Sequence, residues 1–203
     1  SMAEDVTPGL CRWIRDWSVS TGSGRSCGPK HPLIDMTPDE IGDLSEERFE
    51  ELRTFLDPEK AVAVGEIGLD YYHNTENKTE QQEWFERQAF LAKELGLPIV
   101  IHSREAAEDT MTMAKTRHFE DIGGVVHCFS YSREIGREYV KMGFFIGVGG
   151  VVTYKNGRKL KETVEDIPLS SIVLETDSPY LSPEPRRGKR NDSRNLHEVV
   201  RMI

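Results

Sequence analysis

Four short apolar runs in this chain each lead into a side chain able to bind a metal ion. Glu66 follows Ala61-Val62-Ala63-Val64-Gly65, His102 follows Pro98-Ile99-Val100-Ile101, His127 follows Gly124-Val125-Val126, and Asp177 closes Ile172-Val173-Leu174-Glu175-Thr176. Two imidazoles and two carboxylates suit Zn²⁺, Mn²⁺ or a similar divalent ion. Such an ion acidifies water and polarises a phosphoryl or carbonyl oxygen. Taken singly, each residue has a blander reading as a hydrogen-bonded loop histidine or a helix cap. The repetition carries the signal, because gathering four ionisable side chains at one place is costly unless they are paired or bound to metal.

For the four to meet, the runs must be strands of one sheet. Each is strand-sized, and helical stretches alternate with them at 77–95, 104–116, 132–142 and 156–165, with a further helix from Asn195 onward. Phe144-Phe145-Ile146-Gly147-Val148 adds a fifth strand. An earlier helical run opens at Ser45-Glu46-Glu47-Arg48 and stops at Asp57-Pro58, and Gly96 is placed to cap the helix before Pro98. Strand and helix in strict alternation mean parallel strands joined by crossover helices, and nearly all-apolar strands mean that both sheet faces are covered. A doubly wound sheet and a TIM-type barrel both satisfy the pattern. In both, ligands collect at the C-terminal ends of the strands. Five firm units fall short of the eight in a full barrel, so a barrel here is incomplete.

Composition narrows the classes. The chain has 203 residues and net charge −9, which excludes the broad basic face of a protein that coats DNA. Contact with nucleic acid must then be local, with a metal supplying positive charge. No apolar run approaches the ~18–20 residues that span a bilayer, and the first 20 residues lack the apolar core of a secretory signal. The three cysteines show no CxxC spacing, which points to a reducing cytoplasmic setting. Residues 1–30 stand apart. Cys11 to Trp17 suits a short helix, but Gly22-Ser23-Gly24 and Cys27-Gly28-Pro29 read as loop.

The words GEIGLDYY (65–72), PIVIHSREA (98–106), HCFS (127–130), ETDSPYLSPEP (175–185) and RGKRN (187–191) together resemble the TatD family of metal-dependent deoxyribonucleases. The resemblance runs from His31 to the chain end. It implies an amidohydrolase-like (β/α) barrel at 31–203, preceded by the atypical segment 1–30. It also implies one or two divalent ions per chain (Mg, Mn or Zn), with Glu66 bridging two positions, His102 and His127 on one, and Asp177 on the other, handling the attacking water. The implied reaction is hydrolysis of phosphodiester bonds in DNA, trimming from the 3′ end. The family's first strand carries an HxH pair, and no HxH occurs in this sequence. The alternative is therefore a non-catalytic remnant that binds metal or nucleic acid. Nothing in the sequence calls for an obligate protein partner.

Outside the four ligands, Arg104 can face a substrate phosphate. Arg187, Lys189 and Arg190, with Arg186, form a basic loop after the Asp177 strand that can hold a DNA backbone. Asp70 can orient a ligand, and Tyr72 can stack on a base. His73 and His118 read as surface residues. Cys128 reads as a core thiol. Ser130 and Ser178 lack the His–acid pair of a serine hydrolase. Gly147, Gly149 and Gly150 lack the spacing of a dinucleotide site.

Overall fold

The computed structural model describes residues 45–55 and 61–203. The expected helix at 11–17, the start of the resemblance at His31 and the Asp57-Pro58 stop lie outside them. The described elements run α1 (Glu46–Phe55), β1 (Val64–Asp70), α2 (Lys78–Leu95), β2 (Ile99–Arg104), α3 (Ala107–Thr116), β3 (Gly124–Val126), α4 (Arg133–Lys141), β4 (Phe145–Val148), α5 (Arg158–Asp166), β5 (Ile172–Leu174) and α6 (Leu196–Met202).

All five strands form one parallel sheet in the order β1-β2-β3-β4-β5. This order settles the choice left open by periodicity. In a doubly wound sheet the strand order reverses at a switch point, whereas right-handed crossovers between sequential neighbours keep every helix on one side, as in a barrel wall. The described strands make an open arc of such a barrel. Among the described residues no helix is long and apolar enough to cross a membrane.

The core lies where helices meet sheet. Ile67, Leu69, Ile99, Ile101, Val126, Ile146 and Val148 are fully buried strand residues, and Phe85, Ala89, Ala92, Ala114 and Tyr139 meet them from the helices. Phe85 on α2 packs edge-on against Phe119, which follows α3, with ring centroids 5.2 Å apart. α1 docks on α2 through Phe49 and Trp84, whose centroids are 5.7 Å apart, and the Arg87 guanidinium lies over both rings. Gly96 ends α2 in the left-handed conformation at φ 65°, and its amide donates to the Ala92 and Lys93 carbonyls.

One strand is longer than its composition suggests. β1 does not stop at Gly65-Glu66 but pairs with β2 as far as Asp70↔Arg104, with a register irregularity between Val64 and Ile67. Glu66 sits in that irregularity. The glycine at 68 is a close-approach residue and not a strand end: a Cβ there would lie 1.9 Å from the His102 carbonyl oxygen.

Because Phe119 is fully buried, Phe119→Ala is expected to destabilise the chain by about 3–5 kcal/mol. Urea unfolding should show this as a lower midpoint with an unchanged slope.

Candidate metal centre

Strand register brings the expected ligands together. Ile101 pairs with Val126, so His102, within β2, and His127, the residue after β3, stand at the same level on adjacent strands. The His127 amide donates to the Ile101 carbonyl at 2.9 Å, which fixes the first residue beyond β3. On the far side Val148 pairs with Leu174, and the Glu175 amide still donates to the Val148 carbonyl at 3.2 Å before the chain turns away. Asp177 then adopts a left-handed backbone at φ 49°.

His127 is the meeting point. Its Nε2 lies 3.4 Å from Glu66 Oε1 and 3.3 Å from Asp177 Oδ1. The other oxygen of Glu66, Oε2, lies 3.8 Å from His102 Nδ1. Glu66 thus divides its two oxygens between the two imidazoles, and the four residues singled out from sequence form one cluster.

Two further carboxylates hold the imidazoles from behind. Glu175 Oε2 lies 2.7 Å from His127 Nδ1, and its Oε1 accepts the Cys128 amide at 2.6 Å. Asp70 Oδ2 lies 3.1 Å from His102 Nε2. A carboxylate on the distal ring nitrogen sets the tautomer and raises the basicity of a ligating histidine. Burial opposes the Asp70 anion, but hydrogen bonds from His102 and from the amide and ring of His73 hold its carboxyl well below the usual range. Burial likewise opposes a charge on His127. There the carboxylates of Glu175, Glu66 and Asp177 outweigh it and hold the ring protonated well above its ordinary range.

Those directions test the fit to a metal. Three carboxylates converge on one buried imidazole, an arrangement that demands positive charge at its centre. Oxygen and nitrogen donors of this kind suit a divalent cation.

Glu175 is the residue that sequence reasoning missed. Its signal lies in the ETD word, two positions before Asp177. Room for it comes from β4: a Cβ on Gly147 would lie 2.7 Å from Glu175 Oε2. Cys128 differs from expectation. Its sulfur groups with ligand atoms of His127 and Asp177, all within 4.8 Å of one another, instead of joining the apolar core. Desolvation and then the Glu175 charge push its thiol up to about 12. His73, half-exposed, belongs to the Asp70 network, whereas His118 is exposed beside Glu120.

The basic loop is fastened to the same strand end. Buried Asn191 donates to the Thr176 carbonyl at 2.5 Å, its amide donates to the Pro179 carbonyl at 2.9 Å, and Ser182 donates to the Lys189 carbonyl at 2.8 Å. Arg186 is spent internally on Asn195 at 2.9 Å. Arg187 is exposed with its guanidinium over the Tyr154 ring at 4.2 Å, and Lys189 and Arg190 are exposed on the same loop. Arg104 is exposed at the end of β2, over the Tyr72 ring.

In-order parallel strands with a histidine–carboxylate cluster at one end define a barrel-type protein with a metal-competent rim. Comparison with known proteins sharpens that class. The family model for TatD-related DNase matches residues 29–203, and the chain belongs to that family. It is 44% identical over 173 residues, 85% of this chain, to the uncharacterized metal-dependent hydrolase YabD of Bacillus subtilis, and covers 68% of that protein. It is 39% identical over 147 residues, 70% of this chain, to the 3'-5' ssDNA/RNA exonuclease TatD of Rahnella, and covers 56% of it. The crystal structure of the TatD homologue YjjV from Escherichia coli superposes with a TM-score of 0.78 at 32% identity, over 84% of this chain and 66% of that one. The chain thus spans about two thirds or less of the length of these three relatives.

In the Gly147→Ala variant the new methyl group must displace the Glu175 carboxylate. The expected result is loss of the downfield His127 Nδ1 proton in an imidazole ¹H–¹⁵N spectrum. An unchanged signal would show that Glu175 does not hold that nitrogen.

Proposed function

We propose that the chain is a divalent-metal-dependent hydrolase of phosphodiester bonds in DNA, acting from the 3′ end. One observation carries the reading: Glu66 divides its carboxylate between His102 and His127, while Asp177 faces the same nitrogen of His127. Membership of the TatD-related DNase family and the exonuclease name of the Rahnella relative support the choice of substrate.

Glu66, His102, His127 and Asp177 would hold the metal, one or two ions per chain, with Mg, Mn or Zn all compatible with the donors. Bound there, a divalent ion supplies positive charge that polarises a phosphoryl oxygen and acidifies water. The chain's own residues do the rest. Glu175 and Asp70 keep the two imidazoles oriented, so the ligand nitrogens face the site before substrate arrives. Asp177, with its side chain one-third exposed, is the cluster carboxylate closest to solvent alongside Glu66 and can take the proton of the attacking water. Arg104 on one side, and Arg187, Lys189 and Arg190 on the loop after Asp177, can hold phosphates of the strand. The contact is local, as an otherwise acidic surface requires.

With Mn²⁺ or Mg²⁺, the chain is expected to shorten 3′-labelled single-stranded DNA. His127→Ala and His102→Ala should each lose that cleavage. Glu175→Gln should bind metal about 10–100-fold more weakly by calorimetry. Metal binding with intact DNA would establish the non-catalytic remnant instead.

A further inference from the structure

The loop after β1 holds an aromatic ring out into solvent on a rigid support. Asp70, its side chain buried, accepts hydrogen bonds from the amides of Tyr72 and His73 at 2.9 Å each and pairs with the His73 ring at 2.9 Å. Gln81, fully buried on α2, accepts from the Asp70 amide at 2.8 Å and donates to the Asn74 carbonyl at 2.8 Å. Along this pinned loop the two tyrosines part. Tyr71 is 8% exposed and donates its hydroxyl to Asp109 at 2.7 Å, whereas Tyr72 is 55% exposed. The Arg104 guanidinium lies 4.2 Å from the centre of the Tyr72 ring, and His73 meets that ring edge-on at 4.9 Å.

The same Asp70 carboxylate that positions Tyr72 also reaches His102 at 3.1 Å. The exposed ring is therefore one carboxylate away from the metal cluster. An immobilised, solvent-facing aromatic with a guanidinium stacked on it is the arrangement that receives another planar π system.

We infer that Tyr72 and Arg104 form a stacking platform for one nucleobase of the strand being cleaved. The inference rests on the phosphodiesterase reading and adds to it a base-contacting residue. A base is free to stack there only when it is unpaired, so the platform favours single strands and frayed ends. Every base has a π face, so it confers little sequence preference.

Two measurements test it. In the first, the 203-residue chain in chelator is titrated into single strands carrying 2-aminopurine at each of the last few 3′ positions. Quenching at one position in the wild type, kept in Tyr72→Phe and lost in Tyr72→Ala, is the expected result. Equal quenching in Tyr72→Ala overturns the inference, as does quenching at no position. In the second, kcat/KM is compared for intact strands and strands abasic at that position. The wild type should lose about 10-fold through KM, and Tyr72→Ala should show no such difference. An abasic penalty undiminished in Tyr72→Ala overturns the platform while leaving the hydrolase reading intact. Failure of the wild type to cleave any strand counts against the hydrolase reading, and the quenching experiment then decides the platform alone.

Discussion

Everything near the site depends on one buried imidazole. His127 has Glu175 on one ring nitrogen and both Glu66 and Asp177 on the other. Left to themselves, carboxylates brought this close repel one another and lose hydration, so the arrangement persists only with positive charge among them. The ring supplies that charge as a proton, and the donor set is equally suited to a divalent ion. The fold serves this constraint. Parallel pairing sets His102 level with His127, Gly147 leaves space for Glu175, and the irregularity in β1 carries Glu66 into the cluster.

The second layer is a set of hydrogen bonds that ties the surroundings to the ligands. Asp70 links His102 to the Tyr72 loop, and Gln81 fixes that loop to α2. Asn191 ties the RGKRN loop to Thr176, beside Asp177. Groups able to meet a polyanionic strand are thereby held against the cluster from two sides, although the chain as a whole is acidic. Local cation placement, and not net charge, is what an enzyme with a metal at its centre needs.

Much of this was legible in the residues because parallel strands expose a simple rule: the chemistry stands where an apolar run stops. His127 and Asp177 obey it, standing beyond β3 and β5, whereas Glu66 and His102 close their apolar runs in sequence but sit inside the longer β1 and β2. The limits of β1 were not legible, because the apolar run closes at Gly65-Glu66 in sequence, whereas the strand continues to Asp70 past Gly68, which lets the His102 carbonyl approach. Glu175 was hidden because a carboxylate inside an otherwise apolar strand end looks like part of the Asp177 word. Its role appears only when Gly147, 28 positions earlier, is seen to make room for it. Cys128 is hard to place for a similar reason: its backbone is left-handed at φ 45°, its sulfur groups with His127 and Asp177, and no local pattern announces that turn. Strand order, by contrast, could not be chosen from periodicity at all, since both barrel and doubly wound sheets share the same alternation.

The proposed hydrolase requires a metal ion at the His127 cluster. Crystals soaked in Mn²⁺ and measured for anomalous scattering test it most directly. The expected result is a peak within bonding distance of His127 Nε2, Glu66 and Asp177, with Glu175 still on the far side of the ring. A peak elsewhere with this cluster intact, or none at a concentration that saturates binding in solution, would contradict it.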